Sequence, residues 1–140
     1  MDEQYMRRAL ALAAEAAEDG EVPVGAVLVR HGEIIGRGRN RREVDKNALA
    51  HAELEAIHEA CRNAGGWRLT DSTLYVTLEP CPMCAGAIIN ARIDRVVFGA
   101  SDPKAGSCGS LTDLFAMPYN HHPQVTAGVL EEECAALLRD

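Results

Sequence analysis

An α/β protein, with one sheet covered by helices on both faces, is the fold the sequence predicts, and three observations predict it. Apolar positions switch repeatedly between helical and strand spacing, the pattern of alternating elements packed in layers. The 140-residue length suits a single domain over residues 1–140 built on one core. The composition, 47% hydrophobic and 25% charged, is that of an ordinary globular protein and argues against disorder or fibrous repeats.

Met6, Leu10, Ala13 and Ala17 recur at helical spacing through an alanine-rich segment that Asp19-Gly20 closes, which gives the first helix. Residues 22–29 are rich in β-branched side chains, and the polar break Arg30-His31-Gly32 leads into Glu33-Ile34-Ile35, so the two runs read as a hairpin. A basic loop over 37–46 follows, with Arg37, Arg39, Arg41, Arg42 and Lys46 set against Glu43 and Asp45. A second helix over 50–64 ends at Gly65-Gly66. Residues 73–78 read as a strand, 82–91 as a helix and 95–99 as another strand, after which 101–110 is a polar stretch. The chain finishes with a short extended run near Val125 and a helix from Val129, whose acidic start Glu131-Glu132-Glu133 suits the positive end of the helix dipole.

No apolar run reaches the length of a membrane span, and the first residues lack the pattern of a signal peptide, so a cytoplasmic protein with no membrane partner is expected. Five cysteines form an odd set, which favours thiols or metal ligands over a disulfide framework. The net charge of −7 runs against a nucleic-acid partner, since such proteins usually turn basic surface to the phosphates. The basic stretch at 37–46 is the local exception, and it reads equally as an RNA-facing or a merely solvated loop.

Two short motifs carry chemistry. Pro80-Cys81-Pro82-Met83-Cys84 lies where a strand meets a helix, which puts both sulfurs in the first helical turn, where the dipole favours the metal-binding thiolate. His51-Ala52-Glu53 sits at the start of the second helix and offers a neutral nitrogen ligand. Three protein ligands with a fourth position left to water make a catalytic zinc site, and Glu53, two residues on, is free to move that water's proton. Plainer readings exist for each part. A lone Cys-x-x-Cys is commonly a redox pair, a lone histidine is commonly a core or surface residue, and a closed structural zinc site could draw its fourth ligand from His58, His121, His122 or Cys108. The combination of His-x-Glu with Pro-Cys-x-x-Cys favours the catalytic reading and is similar to the signature of zinc-dependent nucleobase deaminases.

Longer stretches extend the likeness. Through Val22-Pro23-Val24-Gly25-Ala26-Val27, Gly38-Arg39-Asn40, Ala50-His51-Ala52-Glu53, Leu74-Tyr75-Val76-Thr77-Leu78-Glu79-Pro80-Cys81, Val97-Phe98-Gly99-Ala100 and Asp102-Pro103-Lys104, the chain resembles the bacterial tRNA-specific adenosine deaminases over nearly its whole length. The resemblance implies a cytidine deaminase-like three-layer α/β/α sandwich with a mixed five-stranded sheet, one zinc per chain, a homodimer, and conversion of adenosine to inosine at the wobble position of a tRNA anticodon. By motif match it makes Asn40 the group that hydrogen-bonds the flipped base and Val24 and Ala26 the apolar pocket wall. It makes Asp102, Lys104, Asn120 and His121 contacts to flanking nucleotides, against plainer turn, capping or surface roles. The small apolar run Ala85-Gly86-Ala87-Ile88-Ile89 is expected to be covered on more than one side, in part by the second subunit. Members of that family usually continue past the last helix with aromatic and basic residues that help grip RNA, whereas this chain stops at Asp140, so weakened RNA binding is expected. A deaminase of free guanine, cytosine or cytidine shares the metal motifs and is the alternative, although it leaves the basic loop and Asp102-Pro103-Lys104 without an evident task.

Overall fold

The computed structural model describes residues 1–139; Asp140, the last residue of the expected domain, lies outside the described residues. The elements run α1 (Asp2–Glu18), β1 (Gly25–Arg30), β2 (Glu33–Arg39), α2 (Ala52–Ala64), β3 (Ser72–Leu78), α3 (Pro82–Ala91), β4 (Arg95–Ala100), β5 (Gln124–Ala127) and α4 (Glu131–Arg139). The five strands form one sheet in the order β2-β1-β3-β4-β5. β1 pairs antiparallel with both neighbours, while β3, β4 and β5 run parallel. The sheet is therefore mixed, as expected.

Strand side chains alternate between the two faces, so each strand feeds two cores. Ala26, Leu28, Leu74, Val76, Val96 and Phe98 pack with Ala52, Ala56 and Ala60 of α2 and with Ala85 and Ile88 of α3. Val27, Val29, Tyr75 and Val97 pack on the opposite face with Met6 and Ala9 of α1 and Cys134 of α4. This is a three-layer α/β/α sandwich. Burying one large aliphatic side chain such as Leu74 or Ile88 contributes about 1.5–3 kcal/mol. No helix among the described residues is long and apolar enough to cross a membrane.

Four boundaries differ from expectation by two residues or more, each for a local reason. Strand pairing starts at Gly25 rather than at residue 22, because Val22 to Val24 close a tight turn through Val24 N–H donating to the Val22 carbonyl at 2.9 Å. β2 extends to Arg39, because its register with β1 holds as far as the Gly25 and Arg39 pair; residues 37–39 of the basic stretch are thus strand, not loop. α2 begins at Ala52, with His51 still extended, and α4 begins at Glu131, because Gly128 and Leu130 both adopt positive φ. The hairpin itself is as expected. His31 and Gly32 both have positive φ between the paired Arg30 and Glu33, the two-residue turn whose twist matches the strands.

Candidate active site

Parallel strands β3 and β4 end side by side, and ligands of such sheets bind outside the carboxyl ends. β3 passes through Glu79 and Pro80 into Cys81, the N-cap of α3, and Pro82 opens the helix where no N–H partner is needed. Cys84 follows in the first turn and is fully buried. His51 is the N-cap of α2, and Glu53 lies in its first turn. A Cβ at Gly38 would collide with the Ala52 carbonyl oxygen, so glycine in β2 lets that turn lie directly on the sheet. Two helix N-termini, with their unpaired N–H groups, thus meet at one place.

His51 Nδ1 stands 3.6 Å from Cys84 Sγ and 3.8 Å from Cys81 Sγ. The three donor atoms lie within 4.8 Å of one another and could hold a metal ion; theirs is the single such group among the described residues. Neither Cys108 nor His58, His121 or His122 belongs to it, so a closed four-ligand site finds no fourth side chain there. Hydrogen bonding from the Cys84 thiol, and then from His51, outweighs burial and brings Cys81 down to about 4, which favours thiolate. Sharing that proton, and then burial, pushes Cys84 up. Glu53 is buried and is pushed up to about 7, chiefly by that burial.

A cavity of about 180 Å³ opens over this group, lined by Val22, Val24, Asn40, Arg42, His51, Glu53, Leu78, Glu79, Cys81, Asp102 and Ala105. Val24, Asn40 and Asp102, named from the sequence, therefore share one pocket with Glu53 and with His51 and Cys81 of the group that could hold a metal. Asn40 is held by its side-chain N–H to the Val22 carbonyl at 3.3 Å and its backbone N–H to the Val24 carbonyl at 3.1 Å. Ala26 is fully buried in the core behind the pocket and does not line it. Lys104 is exposed on the loop just outside, its N–H donating to Asp102 Oδ1 at 3.0 Å. Asn120 and His121 are not brought to this site. His121 Nε2 meets the Ile93 carbonyl at 2.6 Å, at the amino end of β4, roughly 20 Å away along a six-residue strand. The reason is topological: β5 runs parallel to β4, so the chain between them must return across the length of the sheet and carries both residues with it.

Residues 1–133 match the family model of the MafB19-like deaminases. The chain belongs to this deaminase family. It is 55% identical over 138 residues to the tRNA-specific adenosine deaminase of Bacillus subtilis, covering 98% of this chain and 86% of that protein. A solved structure from studies of A-to-I editing by tRNA:A34 deaminases at the wobble position of transfer RNA superposes with a TM-score of 0.93, at 47% identity over 96% of this chain and 99% of that one. The guanine deaminase of Bacillus subtilis is more distant, with a TM-score of 0.69 and 38% identity over 86% of this chain and 80% of that one.

Two carboxylates of this deaminase that sequence reasoning passed over hold the pocket's flanking loops. Glu21, 6% exposed, accepts the N–H groups of Glu43 and Val44, the latter at 2.7 Å. Glu79, 2% exposed, accepts from Asp102, Cys108 and Ser110 on the far side of the pocket. Glu79 offered one signal, a charged residue between a buried strand and the ligand turn; Glu21, next to a helix end, offered none. The basic stretch is largely neutralised within the molecule. Arg39 pairs with Glu15 of α1 and Asp19 just after it at 2.6 and 3.2 Å, Arg37 with Glu59 at 4.0 Å and Arg41 with Asp45 at 3.2 Å. Of its five cations only Arg42 and Lys46 have no ion pair among the described residues, and Arg42 alone lines the pocket.

Proposed function

We propose that this chain is a zinc-dependent hydrolytic deaminase that converts adenosine to inosine at the wobble position of a tRNA anticodon, acting as one domain over residues 1–140 and as a cytoplasmic homodimer. The observation that carries the chemistry is the spacing of the ligand atoms. Sulfur at about 2.3 Å and nitrogen at about 2.1 Å from a tetrahedral zinc stand roughly 3.6 Å apart, and His51 Nδ1 lies 3.6 and 3.8 Å from the two sulfurs. The donor set suits the same ion, since one imidazole and two thiolates with an open fourth position are the ligands of a catalytic zinc.

His51, Cys81 and Cys84 would hold the zinc at the pocket floor. When bound, zinc supplies the Lewis acidity that makes water a nucleophile near neutral pH. Glu53, buried beside the ligands, takes the proton of the attacking water, delivers it to N1 of adenine and then assists departure of ammonia from C6. Burial suits it to both halves of the task, because a carboxyl raised towards neutrality gives up a proton as readily as it takes one. The Asn40 amide hydrogen-bonds the base, Val24 covers its apolar face, and Asp102 closes the opposite side. The base must leave its stack to enter, which costs less in an anticodon loop than in a duplex. Lys104 and Arg42 stand at the pocket's margin, where flanking phosphates would pass.

The homodimer reading is supported by the α2 and α3 face of the sandwich. Leu54, Ile57 and Cys61 repeat along α2 and are only half buried, as are Gly86 and Ala87 on α3, while Leu111 and Met117 nearby in sequence to the short helical turn Leu114–Ala116 are exposed. An incompletely covered apolar face is the kind of surface that a two-fold dimer buries. Turnover of an anticodon stem-loop bearing wobble adenosine, compared with free adenosine, cytidine and guanine, tests the substrate. The stem-loop is expected to react far faster, since binding energy from flanking nucleotides positions the reacting base. Equal or faster turnover of free guanine sinks the RNA reading and favours a deaminase like the more distant relative.

A further inference from the structure

The loop over residues 101–110 supplies the pocket residues Asp102 and Ala105, yet it has no regular secondary structure to hold it there. Its anchor is one side chain. Glu79 Oε1 accepts the Asp102 N–H at 3.0 Å and the Ser110 hydroxyl at 2.5 Å, and Oε2 accepts the N–H groups of Cys108 and Ser110, each at 3.0 Å. All four partners are donors, and each carboxylate oxygen receives two of them. Only an acceptor with no hydrogen of its own satisfies such a set. The loop is also wrapped closely, since a Cβ at Gly106 would collide with the Glu79 carboxyl group. Ser107 N–H donates to the Pro80 carbonyl at 2.9 Å, which ties the loop to the very turn that carries Cys81.

We propose that Glu79 is a positioning residue that fixes the 101–110 loop against the metal-ligand turn and thereby sets the selectivity of the pocket. Glu79 borders the cavity but is not one of the three metal-competent side chains, and its carboxylate oxygens are taken up by Asp102, Cys108 and Ser110, so it acts through the loop. Only Pro80 separates it from Cys81, so one short rigid segment fixes both the ligand and the opposite wall, and the width of the pocket between them follows. The inference rests on the deaminase reading for its chemistry, but not on which substrate the enzyme prefers.

The test replaces the acceptor with a group of the same shape. In Glu79→Gln the amide NH2 faces two donors whichever way it is turned, and a buried donor facing donors is costly. Zinc content is expected to stay at that of the parent, and kcat/KM for the stem-loop to fall relative to that for free adenosine by about tenfold or more, mostly through KM. Gly106→Ala displaces the same contact from the loop side and is expected to shift the ratio in the same direction, and Ser110→Ala, which removes one of four donors, to shift it less. These two variants keep the proposal open to refutation should Glu79→Gln fail to fold. Parallel loss on both substrates in all three variants, with the ratio unchanged, makes Glu79 merely structural and overturns the proposal. The parent enzyme's own preference tests the substrate reading separately. If it prefers free bases, the ratio between guanine and adenosine is read across the same variants with the same criterion.

Discussion

The two ends of the sheet both carry dense polar networks, and they differ in how their valences are met. At the amino end Arg95 grips Asp2 with both guanidinium nitrogens at 3.0 and 2.7 Å, reaches the Thr126 hydroxyl at 3.0 Å, and leaves Asp2 to accept the Tyr75 hydroxyl at 2.9 Å. Both Asp2 oxygens are engaged by donors from within the protein. At the carboxyl end an imidazole and two sulfurs face one another beside a buried carboxyl, with three donor atoms within 4.8 Å of one another. Its groups pair only with one another, in a set that could hold a metal ion, and the lowered Cys81 and raised Glu53 mark this end as the one suited to bind something.

The comparison breaks most sharply at the ligands. Cys84→Ala is expected to lose the zinc and all measurable deamination, since the remaining two donors cannot hold the ion in competition with water. Metal analysis of the purified variant and a deamination assay decide it, and retention of one zinc per chain would falsify the ligand assignment. Glu53→Gln should separate binding from proton transfer at the same end. It is expected to keep one zinc per chain and to lose ~10²- to 10⁴-fold in kcat, the usual contribution of a general acid and base. A metal-free Glu53→Gln would instead make Glu53 part of the ligand set.

How much of this was legible beforehand follows from the range of the interactions involved. The layers, the hairpin and the grouping of His51, Cys81 and Cys84 could be read because each depends on neighbours within a few residues: alternation along β1, positive φ at His31 and Gly32, and His-x-Glu and Pro-Cys-x-x-Cys at helix starts. The pairing of the basic stretch was not readable because several of its partners lie far along the chain: Glu15 comes from α1, Asp19 directly follows that helix and Glu59 comes from α2. The placement of Asn120 and His121 depended on the direction of one crossover, which no local pattern encodes. Glu79 was hidden for a related reason, because a buried carboxylate is recognisable only from the donors that surround it.

Those pairings give a third, smaller expectation. A cation already held by two carboxylates has little left for a phosphate, whereas an unpaired one releases a counterion on binding. For a single-stranded loop, Arg42→Ala and Lys104→Ala are each expected to reduce the slope of log K against log salt by about 0.7. Arg39→Ala, which removes the partner of Glu15 and Asp19, is expected to leave that slope unchanged. Filter binding of the stem-loop across a salt series reads all three, and a slope that falls with Arg39 but not with Arg42 reverses the assignment of the RNA-facing side.

The smallest effect belongs to the amino end, where the network should matter for stability and not for turnover. Hydrogen bonding to Arg95 outweighs burial and, with the Tyr75 hydroxyl, holds the Asp2 carboxyl below its usual value. A carboxyl depressed in the folded state stabilises that state above its unfolded pKa and loses the contribution as pH falls through the folded one. Asp2→Asn should therefore lower the melting temperature at pH 7, and its deficit relative to the parent should shrink as pH drops below about 4. The pair is about a third exposed, so the difference is expected to stay within about 1 kcal/mol, or roughly 4 °C. Zinc loss in acid affects both proteins alike and cancels in the difference between them. With the site roughly 20 Å away along the strands, kcat and KM at pH 7 should match the parent. A deficit that grew in acid would mean that Asp2 acts through something other than its charge.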